Sequence, residues 1–191
     1  QAEFVARRLD RLTAADADRD GSVTREELRT VARARMQQRA EARFTSEHGG
    51  DWKAIVFYNK AERNEQIVLQ KGHVDPDKPT LVRMHGISIL SDVLGQPGPR
   101  KRILQRAMSE IGKVGAGVIV LLMPTDPAQL AREITGAGEN SMDLRSYGIG
   151  AQILADLGVH DMILLTNAHR NVVAIEGYGL NIVGELPISE D

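Results

Sequence analysis

The stretch SYGIGAQILADLGV at residues 146–159, followed almost at once by DMILLT at 161–166, decides the fold class of this chain. The first run carries apolar residues at helical spacing and the second is a short block of β-favouring side chains, so a helix leads into a strand. The same alternation recurs upstream, where RILQRAMSEIGKV (102–114) reads as a helix before the strand-like GVIVLLM (117–123). Further back, AIVFY (54–58), QIVLQ (66–70) and TLVRM (80–84) read as strands. Turn signals at Asp75-Pro76-Asp77, Gln96-Pro97-Gly98-Pro99 and Met123-Pro124 separate the elements. Together they predict a mixed α/β (α+β) domain over residues 45–191.

Residues 1–44 have another texture. They hold ten Arg, no Lys, no Pro and one Gly, whereas all six Lys, all seven Pro and the other 17 Gly lie beyond. Apolar residues at Phe4, Val5, Leu9 and Leu12, then at Leu28, Val31, Ala32 and Met36, keep helical spacing on either side of a polar stretch. This segment is expected to be an α-helical helix–loop–helix unit spanning 1–44. The chain opens on Gln1 and is expected to have been processed or cut from a longer protein. A formal charge of −2 gives no global basic field for nucleic acid, and no apolar run approaches the roughly 20 residues that cross a bilayer. The chain therefore reads as soluble, without a nucleic-acid or membrane partner. It contains no cysteine, which excludes disulfides, thiolate metal sites and a cysteine nucleophile.

The polar stretch Asp16-Ala-Asp18-Arg-Asp20-Gly21-Ser22-Val23-Thr24-Arg-Glu26-Glu27 fills each position of the EF-hand calcium loop. Asp16, Asp18 and Asp20 would aim hard oxygens inward, Gly21 would allow the sharp bend, and Ser22 would add its carbonyl. Thr24 would hold a bridging water, and Glu27 would close the coordination with both carboxylate oxygens. The competing reading is an Asp-rich turn capping a helix that starts near Thr24. Over residues 4–36 the segment resembles the EF-hand family. That resemblance implies pairing with a second hand, and no second Asp-x-Asp-x-Asp-Gly follows in the chain.

Leu144–Val159, Met162–Asn167 and Ile175–Leu180 resemble the C-terminal part of GTP cyclohydrolase II. The likeness continues upstream through Leu81–His85, Asp92–Gly95 and Gly115–Gly117, and back to Ala42–Asp51. The fold it implies is a GTP cyclohydrolase II-like domain, and the pathway is riboflavin biosynthesis. In that family the domain is often fused behind 3,4-dihydroxy-2-butanone 4-phosphate synthase, and a zinc-bound water opens the imidazole ring of GTP. The resemblance places the three zinc cysteines at Ser88, Pro99 and Lys101, so no zinc is expected here. The family's nucleotide-engaging arginine loop falls on Met123-Pro124-Thr125-Asp126-Pro127, which has no arginine. Asp143 and Arg145 match the catalytic Asp-x-Arg pair, Tyr147 follows it, and Thr166 beside Asn167 matches a nucleotide contact. Asn171 stands where the family has a lysine. The bland alternative is that Asp143 caps a helix, Arg145 pairs with an acidic neighbour and Tyr147 packs.

Three functional expectations follow. The first is a degenerate, zinc-less pseudoenzyme of riboflavin biosynthesis, cytoplasmic and homodimeric, beside an upstream butanone-phosphate synthase domain or a partner EF-hand. The second is a calcium-binding, calcium-regulated interaction protein with the α/β domain as scaffold. The third is an active GTP cyclohydrolase II. The five histidines, His48, His73, His85, His160 and His169, show no i,i+4 pair and read as isolated polar or core residues. Gly112–Gly117 precedes a strand, the reverse of a phosphate cradle's order.

Overall fold

The computed structural model describes residues 16–24, 27, 30, 36–124, 126, 128–136, 144–167 and 178–189, with the backbone alone at 144 and 145. Its centre is a seven-stranded mixed sheet. In chain order the strands are β1 (Met36–Ser46), β2 (Gly50–Asn59), β3 (Asn64–Lys71), β4 (Thr80–Gly86), β5 (Gly117–Leu122), β6 (Asp161–Leu165) and β7 (Asn181–Leu186). They lie in the order β1-β2-β3-β5-β4-β6-β7. The first four neighbours form an antiparallel meander, β3 pairing with β5, and the β5-β4-β6-β7 half is parallel. The helices are α1 (Ile103–Val114), α2 (Gln129–Thr135) and α3 (Leu144–Asp156), and a π-helical turn spans Ile89–Val93.

β5 reads GVIVLL and is buried along its whole length, as expected of a central strand covered on both faces. Two apolar clusters provide that cover. On one face Ile149, Ile153 and Leu154 of α3 meet Phe57, Val68, Val82 and Val120. On the other, Ala107, Met108 and Ile111 of α1 meet Trp52, Leu69, Leu81 and Ile119. The i, i+4 spacing of Ile103, Ala107 and Ile111 builds the buried stripe of α1. Gly115, at φ 84, ends that helix by donating its N–H to Ile111 O at 2.9 Å. Burial of each large aliphatic or aromatic side chain contributes about 1.5–3 kcal/mol.

The five strands and two helices expected from the sequence are all present, and the mixed α/β class holds. The N-terminal expectation changes at its end, because Met36 and the residues up to Phe44 form strand β1 and not helix. The boundary expected at 44/45 thus falls inside a strand paired with β2 from Met36↔Asn59 to Ser46↔Gly50. Only Met36 of β1 is buried, so the strand has no alternating apolar face, and its Gln, Arg, Ala and Glu residues are good helix formers. Pairing with β2 overrides that local preference. The helical positions at Phe4, Val5, Leu9, Leu12, Leu28, Val31 and Ala32 lie outside the described residues.

Candidate functional site

Strand β4 sends its chain through α1 to β5 on one side, while β6 lies parallel to β4 on the other. Such a reversal leaves a crevice beyond the carboxyl ends of β4 and β6, the usual ligand position in open α/β sheets. Arg83, on β4, spans it by donating from Nη1 to Leu165 O at the end of β6, 3.0 Å away. Burial holds the Arg83 guanidinium below its ordinary pKa, opposed by the nearby Tyr147 hydroxyl and assisted by Arg100. Its Nε has no partner among the described residues. Arg83 was not singled out in the sequence, and its signal was a lone charge inside the apolar run TLVRM.

Beyond Arg83 the chain enters a buried polar knot. His85 Nε2 meets Asp92 Oδ2 at 2.9 Å, and the two side chains are 2% and 4% exposed. Asp92 Oδ2 also accepts the Ser88 N–H at 2.8 Å. Burial raises the Asp92 pKa, but the hydrogen bonds and charge of His85, the Ser88 N–H and Arg100 outweigh it and hold the carboxyl below its usual range. Ser88 caps the π-helical turn by accepting from Ser91 N at 3.1 Å. It donates its Oγ proton to Glu133 Oε1 of α2 at 2.5 Å, and Leu90 N–H reaches the same oxygen at 3.2 Å. Arg100 Nη2 closes the loop on Gly86 O at 2.7 Å. Of the two readings that the sequence left open for its histidines, isolated polar or core, His85 is buried as a core residue but is not isolated, because it is paired with Asp92.

These residues do not fit the zinc that the family implies. The Ser88 hydroxyl is committed to Glu133 and Ser91, Pro99 has no donor, and Lys101 is an exposed cation. A hydroxyl, a proline and an ammonium cannot replace three thiolates around Zn²⁺. In the segment that the resemblance aligns with the nucleotide-engaging loop, Asp126 accepts Ala128 N–H at 2.8 Å and pairs with Arg132 of α2.

The remaining candidates separate. Asp143 lies outside the described residues, and Arg145 stands in the first turn of α3. Tyr147 is packed against the α3-side core. Thr166 follows β6 and donates its N–H to Leu186 O at 2.8 Å. Asn167 clamps the C-terminal strand exit through two bonds to Ile188, at 2.6 and 3.1 Å. Asn171 and His169 lie outside the described residues.

In the acidic loop, one donor atom each from Asp16, Asp18 and Glu27 lies within 4.8 Å of the other two. Oxygens sharing one Ca²⁺ at about 2.3–2.6 Å can stand no more than about 5 Å apart, so the three fit a common ion. Glu27 ties both ends of the loop: it accepts Ala17 N–H at 2.8 Å, and Thr24 N–H and Oγ1–H at 2.8 Å each. Those bonds, led by the Thr24 N–H, lower its pKa to about 2. Asp16 accepts from Asp20 and Gly21, and Asp20 from Ser22 at 2.7 Å. Gly21 takes φ 85, the left-handed turn for which glycine is suited. The segments expected to be helical on either side of this loop lie outside the described residues, apart from Glu27 and Thr30, which are helical.

The chain is similar to riboflavin biosynthesis protein RibBA of Aquifex aeolicus, 36% identical over 157 residues, which cover 73% of this chain and 39% of the relative. RibBA of Bacillus cytotoxicus is 36% identical over 159 residues, with the same two coverages. RibBA of Mycobacterium avium is 32% identical over 179 residues, covering 80% of this chain and 41% of the relative. The chain thus spans about two fifths of the length of these curated relatives. Among solved structures, the fold matches RibBX, a two-domain 3,4-dihydroxy-2-butanone 4-phosphate synthase from A. baumannii, with a TM-score of 0.52 and 21% identity. That match covers 87% of this chain and 44% of the other. The family model for GTP cyclohydrolase II matches residues 37–187, from the start of β1 to just beyond β7, and by that span the chain belongs to the GTP cyclohydrolase II family.

Proposed function

We propose that this chain is a GTP cyclohydrolase II-like module of riboflavin biosynthesis that does not itself open the ring of GTP. The observation that carries the proposal is the knot of His85, Ser88, Asp92 and Glu133. In it His85 Nε2 is paired with Asp92 Oδ2 and the Ser88 hydroxyl with Glu133, and a serine, a proline and a lysine stand at the positions that the resemblance gives to thiolates. Ring opening needs an activated water, and nothing in this donor set lowers the pKa of one. The module's role is then structural or regulatory, in a cytoplasmic homodimer and beside a butanone-phosphate synthase domain. Two features support the neighbouring synthase domain: the chain spans about two fifths of the length of its RibBA relatives, and its fold matches part of a two-domain synthase.

The test is incubation with GTP, Mg²⁺ and added Zn²⁺, with formate and pyrophosphate measured. No release above the uncatalysed rate is expected, and metal analysis of the purified chain should find zinc well below one equivalent. Release at an enzymatic rate would establish an active cyclohydrolase and sink the reading.

A second function has its own observation, the convergence of Asp16, Asp18 and Glu27. We infer that the loop binds one Ca²⁺ through these carboxylates, with Asp20, the Ser22 carbonyl and a water held by Thr24 filling the remaining positions.

A further inference from the structure

The turn between β1 and β2 packs on α1 with almost no clearance. A Cβ at Gly112 would stand 2.4 Å from Gly49 Cα, and one at Gly49 would stand 2.5 Å from Met108 O. Beside that contact a cleft of about 490 Å³ opens between the turn, the loop after Gln96 and the first turns of α1. His48, Lys101, Arg102 and Arg106 line it, with Gln105 and Ser109 as the neutral polar groups. No carboxylate lines it among the described residues, and the nearest to a lining group is the exposed Glu47, whose Oε1 lies 3.3 Å from His48 Nε2. This is unusual in a chain of formal charge −2, and it comes from placing Arg100, Lys101, Arg102 and Arg106 within seven residues.

The cations are arranged for an incoming anion. Lys101 and Arg102 are exposed and make no ion pair among the described residues. Arg106 is held by donating from Nη2 to Lys101 O at 2.9 Å, and its buried Nε has no acceptor among the described residues. Arg102 is the N-cap of the twelve-residue α1 and supplies no side-chain cap. Three cations, an uncapped helix start and an orphaned guanidinium nitrogen all call for strong acceptors with delocalised negative charge, which a phosphate group provides.

We propose that this cleft is a binding site for a small phosphorylated anion carrying two or more charges. It is built on the first turns of α1, where Gln105 also donates from Nε2 to Asp92 O at 3.4 Å, and it does not depend on whether GTP is opened. The volume suits a compact diphosphate or sugar phosphate better than a polymer, which would need a groove running beyond the cleft.

The probe is inorganic pyrophosphate, added to the full chain at moderate salt and followed by calorimetry and by backbone amide shifts. Saturable one-to-one binding is expected, with the largest shifts at residues 98–106. The double charge reversal Lys101→Glu/Arg102→Glu should weaken binding at least tenfold, and Lys113→Glu, at the far end of the same helix, should leave it unchanged. Circular dichroism confirms that each variant is folded. Absence of saturable binding at about 10 mM, equal affinity in the double variant, or loss in Lys113→Glu as well would overturn the proposal. So would a short oligonucleotide that binds more tightly and moves the same amides.

Discussion

Asp92 accepts from His85 and from the Ser88 N–H while 4% exposed, and this geometry favours its ionised form. Because its folded pKa lies below the unfolded value of 3.8, the folded state holds its charge more firmly than the unfolded chain does. The resulting stability is fully present above pH 3.8 and is lost as the pH falls through the folded value. Replacing Asp92 with Asn removes the titration. The difference in urea-unfolding free energy between the wild type and Asp92→Asn should therefore be constant from neutral pH to about pH 5 and shrink below about pH 4. A difference that stays level to pH 2 would show that Asp92 contributes through shape alone. Arg83 and the Glu133–Ser88 bond were missed by sequence reasoning for one reason: their partners lie far along the chain. Glu133 is 45 residues from Ser88, and Leu165 is 82 from Arg83. No short motif carries such a pair.

At the scale of elements, two glycines set how closely the helices approach the rest of the fold. A Cβ on Gly150 of α3 would meet Met84 Cε at 2.2 Å, the far end of a flexible side chain. A Cβ on Gly112 of α1 would meet Gly49 backbone at 2.4 Å, where nothing can rotate away. Both substitutions to Ala gain about 1 kcal/mol of helix propensity, so the difference between them isolates the clash. Gly112→Ala should cost about 2–3 kcal/mol net, and Gly150→Ala less than about 1 kcal/mol, in urea-unfolding free energy. Equal losses would mean that the β1–β2 turn moves as freely as a methionine. The central elements were legible because burial on both faces writes itself into composition, as in GVIVLL of β5. The edge strand β1 was not, since a strand exposed on both faces needs no apolar alternation. Nor was α2, whose Leu130 and Ile134 are exposed and mark no core face. Strand β7, mostly exposed at the other edge, escaped notice on the same ground.

For the whole molecule the question is whether the acidic loop and the sheet domain melt as one. Both apolar clusters are built from residues between Met36 and Ile188, and none of the described loop residues belongs to either. A ligand stabilises the cooperative unit that contains its site, by about 2.7 kcal/mol at one hundred times its dissociation constant. Calcium bound at Asp16, Asp18 and Glu27 should therefore act on the loop and its flanks and leave the main transition of the sheet domain nearly in place. Calorimetry at pH 7 should show one calcium bound per chain, with the heat abolished in Glu27→Gln, because that substitution removes a carboxylate reaching both ends of the loop. In the same samples, scanning calorimetry should show the main unfolding peak moving by less than about 2 °C on calcium addition, although 2.7 kcal/mol within a domain of this size would move it by roughly 5–10 °C. A shift of that larger size, absent in Glu27→Gln, would show that the loop is coupled to the sheet and that calcium governs the cyclohydrolase-like domain itself.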